Sequence, residues 1–192
     1  MKEATASSAG PAAPDSAAER DWTAPVYAQL PIEPLSGDGC SVTTADGRRI
    51  LDLYGGHAGA SLGYGHPRLT AAVSAQARRR GFQSNAVPLG VRGEAARALA
   101  QFAPAGLDRV FLVNSGAEAN ENALRLALRF TGRKKVVAVE GGFHGRTAAA
   151  GAVTHGAVGR WYGFPYTPFD VEFVPRDDVQ ALDRAVDQDT AA

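Results

Sequence analysis

The apolar positions fall into short extended runs in the first third of the chain. After residue 108 they fall into alternating strand-length and helix-length runs. Cys40–Thr44 and Arg49–Tyr54 read as two extended runs joined by Ala45, Asp46, Gly47 and Arg48. Asp-Gly between such runs predicts a β-hairpin. A glycine-rich stretch follows from Gly55 to Gly65. Its glycines admit positive φ and close backbone approach, which suits a long connection or a loop lining a ligand site. Pro67 opens a helix with Leu69, Ala72, Val73 and Gln76 on one face and Arg78, Arg79 and Arg80 before Gly81. Basic residues suit the negative end of a helix dipole and glycine suits the position just past it. The arginine run therefore reads as a helix terminus. A second helix is predicted over Gly93–Phe102, with Ala95, Leu99 and Phe102 inward and Pro104 as its stop.

From Arg109 the pattern becomes regular. Arg109–Val113, Lys135–Val139 and Val171–Val174 read as strands. Gly116–Phe130, a segment near Thr147 and Asp177–Val186 read as helices. On the first of these helices Ala119, Ala123, Leu126, Ala127 and Phe130 share one face at helical spacing. On the last, Val179, Leu182 and Val186 are expected inward. Strands alternating with helices mean βαβ units and a mainly parallel sheet, so the fold class is α/β. The pattern calls for a further strand after the last helix.

Composition narrows the function classes. The 192 residues suffice for one domain, and 45% hydrophobic content supports a core. Formal net charge is zero, so nucleic acid and acidic membrane surfaces are not expected partners. No apolar run reaches the ~18 residues of a membrane helix. The single cysteine, Cys40, excludes an internal disulfide and fits a reducing compartment. The first residues are rich in Ala, Ser and Pro, and residues 1–22 read as a disordered tail. With no secretory signal pattern at the start, a cytoplasmic location is expected. His57, His66 and His155 lack ligand-like spacing, so no metal site is expected.

The most informative segment is Arg109–Ala123. A strand ending near Val113 turns through Asn114, Ser115 and Gly116 directly into a helix. That geometry aims unpaired backbone N–H groups, backed by the helix dipole, at one spot. Ser115 adds a hydroxyl and Gly116 allows close approach. The site lies beyond the C-terminal end of a strand, where open α/β sheets place ligands. Local physics accommodates a plain Ser115 N-cap and an anion cradle equally. No Gly-Lys-Ser/Thr follows the turn and no Gly-x-Gly-x-x-Gly occurs, so nucleotide binding has no support. Glu121 and Arg125 form an i,i+4 pair worth about 0.2–0.5 kcal/mol, and these charges read as solvating the helix.

Asn114-Ser-Gly-Ala-Glu-Ala-Asn120, followed by Phe143-His-Gly-Arg-Thr147, resembles the class III aminotransferases, which are pyridoxal-phosphate enzymes of fold type I. The likeness runs from about Tyr27 to Ala192 and, within the family, is strongest to acetylornithine aminotransferases and the related lysine-biosynthesis branch. Leu51-Asp-Leu-Tyr-Gly-Gly-His57 and Gly63-Tyr-Gly-His-Pro67 are similar to the family's N-terminal segment. The resemblance implies a fold type I N-terminal segment over residues 23–80. It implies an incomplete cofactor-binding α/β domain over residues 81–192. It further implies that Gly116 and Ala117, with Ser115, hold the phosphate of pyridoxal 5'-phosphate. Phe143 would stack on its ring and Arg146 would pair with the substrate carboxylate. The implied reaction is ping-pong transfer of an amino group from an (acetyl)ornithine-like amino acid to an oxo acid such as 2-oxoglutarate, by a homodimer when complete.

One requirement is unmet. Such chemistry needs a Schiff-base lysine, and the chain holds only Lys2, Lys134 and Lys135. None is suitably placed, so no catalytic residue is assigned and the chain alone is expected to be inactive. Asp178-Val179-Gln180 looks like the family's cofactor-aspartate motif but begins an amphipathic helix, and reads as a helix start. A fragment, a cofactor-binding subunit of a split enzyme and an aminomutase of the same fold remain as alternatives.

Overall fold

The computed structural model describes residues 16–192. The expected tail lies outside these residues up to 15. Its remainder, Ser16–Trp22, is helix α1. Glu19 in the first turn and Arg20 in the last suit the two ends of the helix dipole.

The chain divides into two compact units, the break falling between Val87 and Pro88. In the first, β1 (Pro34–Asp38), β2 (Ser41–Thr44) and β3 (Arg49–Leu51) form an antiparallel sheet in that order. The Asp-Gly turn forms as expected, with Gly47 at φ 82°. Val42 and Thr44 are the buried side chains of β2. β1 carries Gly37 and Pro34 and had no legible strand signature. The short turn α2 (Gly55–Ala58) has positive φ at all four residues. Asp52 anchors it by accepting the N–H groups of Tyr54 (2.8 Å) and Gly55 (2.9 Å) and the Tyr64 hydroxyl (2.5 Å). These bonds, the Tyr64 hydroxyl first, hold the Asp52 carboxyl below its ordinary range. The Gly55–Gly65 loop is thereby fastened to the sheet, and Gly39 bridges Tyr64. Helix α3 (Pro67–Arg79) follows with proline at its start and arginines at its end.

In the second unit, α4 (Gly90–Phe102) and α5 (Gly116–Thr131) precede β4 (Lys135–Val139). Then come α6 (Ala148–Ala152), a 3-10 turn at Ala157–Gly159, β5 (Asp170–Val174) and α7 (Val179–Ala185). β4 and β5 pair in parallel, Lys135 opposite Asp170 through Val139 opposite Val174. The strand called for after α7 begins on the other side of β4. Lys135 and Thr190 form a parallel bridge, the Ala191 N–H donates to Lys135 O (2.7 Å), and the Val137 N–H donates to Ala192 O (2.9 Å). β4 is therefore flanked on both edges. The core lies against it: Val136, Ala138, Ala149, Val153 and Phe169 are buried, with Leu124 and Leu128 of α5 packed on them.

Two expectations are corrected. Arg109–Val113 is not a strand, because no backbone hydrogen bond ties it to another described segment, and Phe111 is 70% exposed. A strand exists through its ladder, which periodicity cannot supply. The inward faces of the helices also differ. On α5 the packed residues are Leu124 and Leu128, while Leu126 and Phe130 are exposed. On α7 the buried residue is Ala185 rather than Val179, Leu182 or Val186. Leu69, Val73, Leu99 and Phe102 of α3 and α4 are likewise exposed. An amphipathic period locates a face without naming its partner.

Gly63 sits at φ 74° with an added Cβ only 2.8 Å from Gly39 O. Gly63→Ala therefore combines backbone strain with a clash against main chain. It is expected to lower stability by about 1–3 kcal/mol, read as a lower urea midpoint by circular dichroism.

Candidate functional site

The start of α5 is built by a reciprocal cap. Ser115 is extended (φ −152°, ψ 160°) and its Oγ accepts the Glu118 N–H at 3.1 Å. The Glu118 carboxylate reaches back to the Asn114 N–H at 2.6 Å. Ser115 and Glu118 stand three apart, the spacing of a capping box, which is the signal in the sequence for this helix start. The N-cap reading of Ser115 is thus realised in the fold. That bond uses the hydroxyl oxygen as acceptor and leaves its proton available for donation. Among the described residues the N–H groups of Gly116 and Ala117 have no acceptor. Both lie in the first turn, where helix geometry leaves donors unmet.

β4 delivers the second motif. After Val139 the chain turns through Gly141 at φ 76°, and the Gly142 N–H returns to Val139 O at 3.0 Å. The Phe143–Thr147 loop then passes over the beginning of α5. The contact is tight at Gly145, whose φ is 140°. A Cβ there would stand 2.6 Å from the Ala117 Cβ and 2.9 Å from the Ala150 Cβ. The two motifs are therefore one site, joined at Gly145 and Ala117.

Three side chains to which the sequence assigned no part in the site hold this loop. Asn120 Nδ2 donates to His144 O at 2.7 Å. Thr154, 4% exposed, accepts the His144 N–H at 2.9 Å and donates to Ala150 O at 2.9 Å. Glu121 Oε2 accepts the Thr147 hydroxyl (2.6 Å) and the N–H groups of Ala149 (2.9 Å) and Ala150 (3.2 Å). It caps α6 from a neighbouring helix. The i,i+4 pair with Arg125 forms as expected, at 4.0 Å, but the expectation that these charges mostly solvate α5 is corrected for Glu121, whose shorter bonds all go to the start of α6. Burial pushes the Glu121 carboxyl up. Bonds from Thr147, Ala150 and Ala149 and the Arg125 charge outweigh it and bring the group below its ordinary range.

Phe143 is 64% exposed, and its ring meets Tyr162 edge to face, with centroids 6.5 Å apart. The Arg146 guanidinium carbon lies over the Trp161 ring, 5.9 Å from its centroid. Both side chains thus stand at the loop surface, where a ligand can reach them. Lys135 stands apart. Its Nζ donates to Ala185 O (2.6 Å) and contacts the carboxylates of Asp187 (2.7 Å) and Glu172 (3.3 Å). The Asp187 bond first, then Glu172, raise its pKa, so it is a protonated tether for α7 rather than a nucleophile. It also begins β4, while the site follows the strand's other end. That separation is about 13 Å at ~3.3 Å per residue.

The chain is similar to known proteins. The family model described as aminotransferase class-III matches residues 23–192. An acetylornithine aminotransferase of Methanopyrus kandleri is 42% identical over 171 residues, which is 86% of this chain and 42% of the relative. One from Mycobacterium tuberculosis is 45% identical over 171 residues, 86% of this chain and 41% of the relative. Among solved structures, the ornithine aminotransferase of Toxoplasma gondii superposes with a TM-score of 0.81 at 33% identity, over 92% of this chain and 43% of that one. The chain spans less than half the length of these relatives.

The Glu121 cap has a stated acid limit. A carboxylate with a lowered folded pKa stabilises fully above its unfolded value, and that stability is lost as pH falls through the folded value. Glu121→Ala is expected to lower stability by about 1–3 kcal/mol near neutral pH. The gap to the unaltered chain should narrow as pH falls from about 7 to about 3, as followed by urea denaturation.

Proposed function

The chain belongs to the class III aminotransferases, and on that premise we propose that it forms the phosphate-holding and carboxylate-binding part of an aminotransferase site. The family is pyridoxal-phosphate-dependent, and the residues present fit that group. The observation that carries the reading is the pair of N–H groups at Gly116 and Ala117 that have no acceptor among the described residues, with Gly145 packed against Ala117. An anion there meets two backbone donors, the Ser115 hydroxyl and the positive end of α5. Phe143, at the surface of the adjoining loop, presents a ring face for the pyridine. Arg146 offers a planar guanidinium for a carboxylate.

Amino transfer from an (acetyl)ornithine-like amino acid to an oxo acid such as 2-oxoglutarate is the activity proposed for the whole protein. The named relatives support that choice of substrate. When bound, the cofactor supplies the electron sink for the carbanion chemistry. This chain's residues bind and orient, and Lys135 is not placed to move the proton. Lys135 is committed to Asp187 and Glu172. The same observation favours a second reading, a cofactor-binding portion that turns over only when another segment or chain brings a lysine. A homodimer is proposed for the complete enzyme.

Pyridoxamine 5'-phosphate tests the cradle without reacting with stray lysines. By calorimetry it is expected to bind the chain more tightly than pyridoxamine. Gly116→Pro removes one donor at the first helical position, where proline is tolerated, and the extended Ser115 suits a following proline. It should weaken the phosphate form by about five- to tenfold, while Gly116→Ala, with open space around its Cβ, should not. Equal binding of both vitamers, or no effect of the proline, overturns the reading. Acetylornithine and 2-oxoglutarate with added cofactor should give no glutamate with this chain alone.

A further inference from the structure

The segment between the 3-10 turn and β5 carries two aromatic residues that neither motif includes. The Trp161 and Tyr162 rings meet edge to face at 5.3 Å. Tyr162 in turn meets Phe143, and Trp161 lies under the Arg146 guanidinium. Phe143, Tyr162, Trp161 and Arg146 therefore form one continuous chain of contacts. Its ends are the ring assigned to the cofactor and the cation assigned to the carboxylate. Trp161 is 66% exposed, so burial in a core does not explain its position.

An arginine on a surface loop loses rotamer freedom when it must present a fork to a carboxylate. An aromatic face restricts that freedom beforehand through its attraction for the cation. The guanidinium meets a ring with its face and a carboxylate with its N–H edges, so the two contacts are compatible. We propose that Trp161 is a positioning residue that holds Arg146 in place for carboxylate binding, with Tyr162 joining it to Phe143. A carboxylate received there lies beside an indole, so carboxylates with an attached carbon chain are preferred over small inorganic anions. The inference rests on the assignment of Arg146 to the substrate carboxylate.

The chain has two tryptophans, and the other, Trp22, lies in α1 of the first unit. In a Trp22→Phe background, Trp161 emission should change saturably on titration with 2-oxoglutarate or N-acetylornithine. Calorimetry with the same carboxylates should show affinity falling about two- to fivefold in Trp161→Leu, recovering in Trp161→Phe and lost in Arg146→Ala. Pyridoxamine 5'-phosphate affinity and the urea midpoint should be unchanged in Trp161→Leu. Loss in Arg146→Ala without loss in Trp161→Leu overturns the role of Trp161 alone. Unchanged affinity in Arg146→Ala, or no carboxylate binding by the unaltered chain, overturns the assignment of Arg146 and the inference with it. Failure of Trp161→Phe to recover what Trp161→Leu loses overturns the aromatic mechanism.

Discussion

The Glu121 carboxylate joins two helices that the sheet alone does not bring into register. It sits on α5 and takes three donors from the start of α6, through Thr147, Ala149 and Ala150. Without it, that helix start would keep its first-turn N–H groups unmet, because Thr147 provides no side-chain cap of its own. The Phe143–Thr147 loop is the run of chain between β4 and this junction. Its course is therefore set at one end by the strand and at the other by a carboxylate from a neighbouring helix. Asn120 and Thr154 remove the remaining freedom at His144. The close fit of Gly145 on Ala117 follows from these constraints, and the Gly116–Ala117 donors meet the Arg146 loop because of it.

β4 anchors this arrangement. It is paired with β5 on one edge and with Thr190–Ala192 on the other, and Val136 and Ala138 are buried beneath α5 and α6. The tether at its start, Lys135 with Asp187 and Glu172, holds α7 and the strand after it. Charge is thus spent on structure at one end of the strand, and the groups proposed to meet a ligand gather at the other. This polarity is the usual one for parallel sheets, in which ligands sit beyond the carboxyl ends of the strands.

The outer faces are less settled by the chain itself. Leu126 and Phe130 of α5, Leu99 and Phe102 of α4, and Leu69 and Val73 of α3 are apolar and exposed. Family membership is shown over residues 23–192, yet those residues cover less than half of the relatives' length. Helix periodicity in such a chain records a buried face whose covering surface need not lie in the same residues.

By itself the sequence determined the elements that depend on neighbours close in the chain. Asp46-Gly47 specified the hairpin, Pro67 and the arginines before Gly81 marked the two ends of α3, and apolar runs marked β4 and β5. It also determined the family, through two motifs whose spacing matches a strand-turn-helix followed by a strand-loop. Local physics left Ser115 between cap and cradle. The fold makes it a cap and, among the described residues, leaves the two N–H groups after it without an acceptor. Only tertiary structure decided which face of α5 is packed, that Arg109–Val113 has no ladder among the described residues, and that Glu121 is a cap for α6. It also brought Trp161 under Arg146, fifteen positions earlier in the chain. The physical reason is common to all four: each depends on a partner distant in sequence, and periodicity carries no information about distant partners.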